Sequence, residues 1–303
     1  MNNLCNICPR NCNVDREKSF GFCGASDKLK VSKVMLHYFE EPIISGTTIF
    51  KNEAPKGSGA IFFSNCSLKC VYCQNSDISC GGHGKEISIQ TLADIFKQLE
   101  NASALNINLV SPSHFTLQIV EALKIYKPNI PIVWNTSGYE KPETIEMLKD
   151  YVDIYLTDLK YFDENLSLKY SGAKNYFEFA NKSILKMREN QPTDVICDGV
   201  MKKGLIVRHL VLPNYTNDSI KIINWIYENL GNNTILSLMS QYVPVAGAKK
   251  FPEINRKITP LEYKILVNLL NKLKFDNAFI QEHGSADSCY TPDFLCEKSD
   301  FKY

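Results

Sequence analysis

Residues 62–75, FFSNCSLKCVYCQN, place Cys66, Cys70 and Cys73 at spacings of three and two residues, directly after an apolar run. That run, GAIFFSN at 59–65, is typical of a buried strand. A loop after a strand can curl three thiols around one small object, whereas closed structural metal sites take four ligands. Three thiols therefore indicate a metal centre with one ligand position open for chemistry.

The sequence after this three-cysteine loop alternates between strand and helix patterns. Strands are predicted at 106–110, 131–138, 153–162, 204–214, 234–242 and 277–284. Helices are predicted at 88–102, 114–126, 141–151, up to about 190, 218–231 and 259–273. We find no signal for an antiparallel hairpin. About six units of parallel strand and helix predict an α/β fold, a partial (β/α)6 TIM-like barrel, because a full barrel has eight units.

Residues 1–57 depart from this alternation, apart from a possible strand at 29–39. They contain four clustered cysteines, called here the N-terminal cysteine group: Cys5, Cys8, Cys12 and Cys23. We predict a cysteine-rich, metal-binding N-terminal extension (1–57), a core domain (58–284) and a polar, loosely packed C-terminal tail (285–303).

Composition narrows the class of protein. Of 303 residues, 44% are hydrophobic and 22% charged, which is ordinary for a soluble globular chain. A formal net charge of +1 provides no bulk field for nucleic acid or an acidic membrane, and no apolar run approaches the roughly 20 residues that cross a bilayer. The N-terminus also lacks the apolar core of a signal peptide. We expect a cytoplasmic protein, with neither membrane nor nucleic acid as a partner.

In a reducing compartment, clustered cysteines indicate metal binding rather than disulfides. The N-terminal cysteine group fits either zinc in a four-thiolate knot or an iron–sulfur cluster additional to the three-cysteine centre, and the spacing does not choose between them. Zinc would hold residues 1–57 against the barrel, whereas a cluster would relay electrons or bind substrate. Reduced thiols in a partly ordered arm are the remaining alternative. Four isolated cysteines are predicted to be free thiols: Cys80, Cys197, Cys289 and Cys296.

The C-x3-C-x2-C spacing, with an aromatic residue (Tyr72) before the last cysteine, resembles the signature of the radical S-adenosylmethionine (SAM) superfamily. That resemblance implies a [4Fe-4S] cluster on the three-cysteine loop with SAM on its open iron. Reductive cleavage of SAM would then give a 5′-deoxyadenosyl radical that abstracts a hydrogen atom. From the spacing alone, a structural zinc site completed by His83 or Cys80 remains an alternative.

The resemblance covers nearly the whole chain and is closest to the pyruvate formate-lyase activating enzyme-like group, in its branch with an N-terminal cysteine cluster. The matching segments include CNICPRNCNVDR (5–16), GFCGA (21–25), HYFEEPIISG (37–46), NINLVSPSHF (106–115), NTSGYE (135–140), DIYLTDLKY (153–161), VRHLVLPN (207–214) and SLMSQY (237–242). This group implies an oxidoreductase of anaerobic metabolism. It also implies a glycyl radical enzyme as protein substrate and a flavodoxin- or ferredoxin-like reductant.

Three charged residues at predicted strand ends are candidate catalytic residues, because barrel active sites assemble there. By the resemblance, Asp158 and Lys160 form a D-x-K that faces SAM and substrate, with or without a cation bound beside it. A surface ion pair is the alternative. Arg208 shares a strand face with Leu210 inside an apolar run. Since a buried arginine needs an anionic partner, we predict that it contacts SAM or substrate.

Related enzymes have an acid after the second strand that receives the SAM amino group, and this sequence lacks it. Ser111, Ser113 and His114 could contact SAM instead, although an ordinary turn with Ser113 as helix N-cap competes. The predicted cofactor-binding residues are Tyr72, Ser111, Ser113, Asn135, Thr136, Asp158 and Gln241. Asn135 and Thr136 would bind the ribose or methionine part of SAM, unless they form a structural turn.

Other polar residues have simpler interpretations. His209 is expected to be a buried histidine with satisfied hydrogen bonds, and His83 to be exposed. Glu40 and Glu41 mark either a substrate-facing loop or solvated acids.

Three functions are therefore in competition. The first is glycyl radical installation in a partner enzyme. The second is the same radical chemistry on a small molecule, peptide or RNA base, suggested by the extra cysteines. The third is a non-catalytic electron carrier or zinc-stabilised binding module.

Overall fold

The computed structural model describes residues 4–46, 56–245, 247–281, 292–294, 301 and 303. Within these ranges the strands are β1 (Leu29–His37), β2 (Ser58–Phe63), β3 (Lys85–Ile87), β4 (Ile107–Val110), β5 (Ile132–Thr136), β6 (Ile154–Asp158), β7 (Val195–Cys197), β8 (Val200–Leu210), β9 (Ile235–Met239) and β10 (Ala278–Ile280). The α-helices are α1 (Pro42–Ser45), α2 (Ser76–Ser79), α3 (Ile89–Asn101), α4 (Thr116–Ile125), α5 (Pro142–Met147), α6 (Glu164–Ser171), α7 (Tyr176–Asn190), α8 (Thr216–Leu230) and α9 (Pro260–Lys272).

The strands form one sheet in the order β10-β9-β8-β6-β5-β4-β2-β1-β3. Every neighbouring pair from β2 to β10 along this order is parallel, and helices connect these strands. The parallel α/β architecture and the partial barrel predicted from the sequence are confirmed. The carboxyl ends of the parallel strands meet at one edge, where the connecting loops gather.

Side chains alternate across the sheet with the two-residue period of a strand. On β5, Ile132 and Trp134 pack into the core under the helices, while Val133 belongs to a separate cluster on the inner face. β6 and β8 repeat the pattern, with Tyr155 and Leu205 outward. The inner face therefore has its own small apolar core below the polar strand ends.

Helix boundaries follow local sequence signals. Ser88 caps α3 by accepting a hydrogen bond from the Thr91 amide. The helical region that the sequence predicts up to residue 190 is two helices, because Gly172 ends α6 with a left-handed backbone (φ 59°). No helix of the described residues is long and apolar enough to cross a membrane.

The prediction that the chain lacks antiparallel hairpins is wrong. β7 and β8 form one, with Cys197 opposite Val200, and β1 pairs antiparallel with both β2 and β3. The β7–β8 turn is Asp198-Gly199, with φ of 50° and 72°. Asp-Gly is a preferred pair for the two-residue turn that needs positive φ at both positions, so the sequence did contain the signal.

Part of the predicted N-terminal extension is built into the barrel. β1 is a strand of the main sheet, and α1 enters the inner face, where Ile44 packs against Val133, Leu156 and Ile206. The Asn106 side chain fixes α1 by donating to the Ile44 carbonyl over 2.9 Å. Residues 4–28 contribute no strand to the sheet, although Cys23 and Ala25 pack into its main core.

Most of the C-terminal tail, including Cys289 and Cys296, lies outside the described residues. Phe294 is an exception to the loose packing predicted for this tail. It is buried, and its ring lies 5.2 Å from the ring of Phe62 on β2, centroid to centroid.

Candidate active site

The three-cysteine loop leaves the carboxyl end of β2 and turns sharply. Asn65 and Lys69 adopt left-handed backbone conformations (φ 75° and 55°), and the Val71 amide donates to the Tyr170 carbonyl over 2.9 Å. These turns bring Cys66, Cys70 and Cys73 to one wall of a cavity of about 220 Å³. The loop therefore presents three thiols together, as the spacing predicts.

Each sulfur of this loop has at least one hydrogen-bond donor. The hydroxyls of Ser171 and Ser79 donate to the Cys70 and Cys73 sulfurs over 3.0 and 3.3 Å, and the Leu68 amide approaches the Cys66 sulfur at 3.5 Å. Donors to sulfur stabilise the thiolate and tune the reduction potential of a bound cluster. Ser171 and Ser79 are functional candidates that the sequence did not reveal.

The donor set fits an iron–sulfur cluster with an open iron. Desolvation raises the pKa of the Cys73 thiol to about 12 and also raises that of Cys70, so a bound metal is needed to keep these sulfurs ionised at neutral pH. Cys80 and His83, the proposed fourth zinc ligands, are exposed and do not line the cavity. The three thiols face the cavity without a fourth protein ligand among the described residues.

Three charged side chains line the same cavity. Lys160 Nζ lies 2.5 Å from Asp158 Oδ2, and Arg208 Nε lies 2.8 Å from Asp158 Oδ1. All three side chains are at most 15% exposed, so this is no surface ion pair. Burial would raise the pKa of Asp158, but Arg208 and Lys160 together lower it below its usual value. Asp158 therefore stays ionised between its two cationic partners.

Glu40 is a further member of this charge cluster. Its carboxylate lies 3.2 Å from Arg208 Nη1 and accepts hydrogen bonds of 3.1 Å from the amides of Asn108 and Asn135. Glu41 beside it is also buried, and desolvation raises its pKa although Arg208 opposes the effect. Both acids are at most 10% exposed, and neither lines the cavity.

The predicted cofactor-binding residues divide into two sets. Those that line the cavity are Tyr72, Ser111, Asn135, Thr136, Asp158 and Gln241. Ser113 does not line it, because its hydroxyl donates to Glu140 over 2.5 Å. Ser113 does not cap α4 either, since it lies in a 3-10 turn, Ser113–Phe115, before that helix. His114 is turned away as well and contacts the Ser64 carbonyl at 2.8 Å.

Glu140 is a buried acid that the sequence analysis missed. Its Oε1 accepts hydrogen bonds from Ser113, Thr136 and Trp134, whereas Oε2 has no partner among the described residues. Desolvation raises the pKa of Glu140. The hydroxyl of Thr136 is thus directed to Glu140, although the residue borders the cavity.

Buried tyrosines connect the loop to its surroundings. The Tyr72 hydroxyl donates to that of Tyr161 over 2.6 Å, and Tyr161 shares a 2.8 Å hydrogen bond with Ser171, which in turn donates to Cys70. The Tyr161 ring also lies 5.3 Å from Tyr176, between ring centroids. A continuous chain of hydroxyls therefore ends at one sulfur of the loop.

The N-terminal cysteine group forms a second set of neighbouring thiols. The Phe22 amide donates to Cys12 Sγ over 3.2 Å, and the Ala25 amide approaches Cys23 Sγ at 3.5 Å. A Cβ on Gly21 would stand 3.5 and 3.6 Å from these two sulfurs. Electrostatic interactions link Cys8 and Cys23 to each other and to Cys5. The four thiols therefore lie in one region.

Arg10 joins the N-terminal cysteine group to the three-cysteine loop. Its Nε donates to the Ser67 carbonyl over 2.8 Å and its Nη2 to the Ser171 carbonyl over 2.9 Å, while Nη1 contacts the Gly172 carbonyl. Its guanidinium also stacks on Phe22, 3.7 Å from the ring centroid. One side chain thus reaches both cysteine sets.

His209 has the role expected from the sequence. Its Nδ1 lies 2.7 Å from the Leu159 carbonyl and its Nε2 lies 2.8 Å from Ser219 Oγ, on the outer side of β8. Arg208 and Leu210 both line the cavity, as the alternation predicts.

Comparison with known proteins identifies the class: this chain belongs to the radical SAM superfamily, whose family model matches residues 60–226. It is therefore a radical SAM enzyme, and membership implies a [4Fe-4S] cluster and SAM. An uncharacterized protein of Methanocaldococcus jannaschii is 33% identical over 282 residues, covering 90% of this chain and 75% of that protein.

Activating enzymes are more distant relatives. The pyruvate formate-lyase-activating enzyme of Clostridium pasteurianum is 26% identical over 216 residues, covering 68% of this chain and 81% of that enzyme. The pyruvate formate-lyase 1-activating enzyme of Escherichia coli K12 is 24% identical over 169 residues, covering 52% of this chain and 62% of that enzyme.

Solved structures show weaker likeness. Streptococcus suis SuiB bound to precursor peptide SuiA has a TM-score of 0.49 and 14% identity, over 72% of this chain and 46% of that chain. Methylornithine synthase has a TM-score of 0.47 and 13% identity, over 78% and 74%. This chain spans about half the length of SuiB.

Proposed function

We propose that this radical SAM enzyme acts on a glycine of a partner glycyl radical enzyme, with the three-cysteine loop holding the [4Fe-4S] cluster. When bound, the cluster and SAM supply a one-electron cleavage of the S–C5′ bond, after which a hydrogen atom is taken from the substrate. The observation that carries the proposal is that three thiols and the Asp158, Lys160 and Arg208 cluster border one cavity.

Asp158 and Arg208 have the chemistry to orient a zwitterion such as the methionine part of SAM. Arg208 has five N–H donors, and three are taken by Asp158, Glu40 and Asn135. Two remain for a carboxylate in the cavity. Asp158 and Lys160 offer one acceptor and one donor group beside it.

The rest of the cavity wall limits side reactions. Leu68, Val110, Leu210, Met239 and Val243 contribute apolar surface around the charged cluster. Apolar walls exclude water and strengthen the electrostatic interactions inside. A reactive radical in this space would meet the bound substrate before solvent.

Two observations support a glycine as the target. The chain is similar to activating enzymes, and its Asp158 and Lys160 have the D-x-K spacing that the sequence resemblance to that group implies. The reductant in this proposal is a flavodoxin- or ferredoxin-like protein.

A second candidate is the same chemistry on a small molecule, peptide or RNA base. It is favoured by the part of the chain that the activating enzymes do not match. About a third of the chain lies outside the similarity to the Clostridium enzyme. Family membership argues against the non-catalytic alternative.

The test is anaerobic. The chain is reconstituted with iron and sulfide, reduced with dithionite, mixed with SAM and assayed for 5′-deoxyadenosine. The cognate glycyl radical enzyme is then added, and its radical is sought by electron paramagnetic resonance. SAM cleavage without a glycyl radical would exclude the first target and leave the second candidate. Binding of SAM without any cleavage, with or without added substrates, would contradict both.

A further inference from the structure

We propose that the N-terminal cysteine group holds a second [4Fe-4S] cluster that relays electrons to the cluster on the three-cysteine loop. This inference rests on the proposed role of that loop. It selects one of the two metals that the cysteine spacing permits. It also gives residues 4–28 a task in the reaction.

The arrangement of the thiols favours a cluster over zinc. Zn–S bonds of about 2.3 Å in a tetrahedron require sulfurs roughly 4 Å apart. Across the described part of the chain, no three cysteine, histidine or acidic side chains are arranged around a single ion. The same holds for the three-cysteine loop, which family membership assigns to a [4Fe-4S] cluster. Among the described residues, neither thiol set is therefore arranged as a tetrahedral single-ion site.

A structural metal is also not required to attach residues 4–28 to the barrel. Arg10 makes hydrogen bonds to three carbonyls, and Arg16 reaches the His114 carbonyl. Thr144 donates to the Ile7 carbonyl over 2.7 Å. These bonds attach the segment to the barrel without using the four thiols, which leaves the thiols available for a redox centre.

Bonded and hydrogen-bonded atoms connect the two thiol sets. The Arg10 amide donates to Cys8, and the Arg10 side chain donates to the Ser67 carbonyl, one residue from Cys66. A second branch runs from Arg10 to the Ser171 carbonyl, and the Ser171 hydroxyl donates to Cys70. A path of bonded and hydrogen-bonded atoms suits electron transfer, and a structural zinc would make no use of it.

A separate contact brings the segments together near Cys23. A Cβ on Gly24 would stand 3.4 Å from Asn65 Oδ1 and 3.6 Å from Lys69 Nζ. Asn65 directly precedes Cys66 in the chain. Two independent contacts therefore place the N-terminal cysteine group against the three-cysteine loop.

The proposed relay transfers one electron at each step and moves no proton. A flavodoxin- or ferredoxin-like donor reduces the N-terminal cluster from the 2+ to the 1+ state and is itself oxidised by one electron. The N-terminal cluster returns to 2+ as the loop cluster becomes 1+. The loop cluster then reduces SAM.

A metal count on the full chain tests the site directly. After anaerobic production with iron and sulfide, wild type should carry about eight irons, and Cys66→Ala/Cys70→Ala/Cys73→Ala about four, with almost no zinc. Cys197→Ala, which alters an exposed thiol on the β7–β8 hairpin, is the matched control and should keep about eight. One zinc and no iron in the triple variant would overturn the proposal. This count does not depend on whether a variant of the N-terminal cysteine group folds.

Magnetic coupling tests the relay. Electron paramagnetic resonance of fully reduced wild type should show broadening from two interacting clusters, and the triple variant a single uncoupled signal. Two non-interacting signals would overturn the relay.

Arg10→Gln tests the path between the clusters. This variant should retain both clusters and lose several-fold in SAM cleavage driven by a protein donor, but little with dithionite. Equal loss with both reductants would also overturn the relay. If wild type contains both clusters and cleaves no SAM, the proposed function of the loop fails and the second cluster stands.

Discussion

The two cysteine sets of this chain differ in what surrounds their sulfurs. Those of the three-cysteine loop border a cavity and accept hydrogen bonds from the hydroxyls of Ser79 and Ser171. Those of the N-terminal group do not border that cavity and are approached by backbone amides of the surrounding turns. Three thiols leave a ligand position for a reactant, and four leave none. The number of ligands, more than their type, separates the reaction site from the proposed relay.

The largest difference is expected from removing one thiol of each set. Cys70→Ala should reduce 5′-deoxyadenosine formation to background, because the loop cluster loses one of three protein ligands. Cys12→Ala should retain cleavage with dithionite, since a chemical reductant can reach the loop cluster directly. Anaerobic product assays with iron counts on both variants measure this. Equal loss in the two variants would mean that the sets do not have separate roles.

The charge cluster of the cavity should be costly to break. Asp158→Asn leaves Lys160 and Arg208 without their shared partner in a mostly buried site, at about 3–5 kcal/mol of unfolding free energy. SAM affinity should fall as well, as calorimetry would measure. The matched control is Lys182→Gln in the exposed pair with Glu178, which should change stability by less than about 1 kcal/mol. Unfolding free energies are measured by urea unfolding. Equal losses in the two variants would refute the view that Asp158 stabilises two buried cations.

A smaller effect concerns tuning of the loop cluster alone. Ser171→Ala removes the hydroxyl that donates to Cys70. Fewer hydrogen bonds to sulfur leave more negative charge on the cluster, so its reduction potential should become more negative. A redox titration followed by electron paramagnetic resonance should show this shift in the loop signal only. An equal shift of the N-terminal signal would show that the two centres are not tuned separately.

The smallest expected effect concerns the stability that Glu262 gives to helix α9, which contains no residue of either cysteine set. Glu262 closes the capping box of α9 and pairs with Arg256, which lowers its pKa to about 2. The free energy of unfolding that ionised Glu262 contributes is therefore fully present above its unfolded-state pKa of about 4.5. It is lost as pH falls towards 2. Glu262→Gln should cost about 1 kcal/mol at neutral pH and flatten that pH dependence. Urea unfolding from pH 2 to 7 measures the loss of stability and its pH dependence. A change in iron content would show that this helix is not independent of the two cysteine sets.

Local sequence patterns predicted much of the architecture. The parallel strands and their helices follow from the two-residue and 3.6-residue periods, and the shared face of Arg208 and Leu210 from strand alternation. The hairpin was missed although Asp198-Gly199 is a turn signal. Asn108 is a polar residue inside an apolar strand, and this departure from the pattern was a signal in the sequence that the residue has a polar partner.

Contacts between distant segments were beyond local reasoning. Glu40 meets Arg208 across 168 positions, and Arg10 meets Ser171 across 161. No periodicity encodes such a meeting, because the topology of the whole sheet decides it. For the same reason, the cysteine spacing did not disclose that the two thiol sets are neighbours.

The short helix α1 inside the barrel affects the order of events in a catalytic cycle. Ile44 fills the inner face below, and Glu40 lies above it against Arg208, so the described cavity opens at the carboxyl ends of the strands. Reactants that enter from one side must also leave from that side. If the substrate is a partner enzyme, as proposed above, we expect SAM to bind before that protein covers the opening, and 5′-deoxyadenosine to depart after it dissociates.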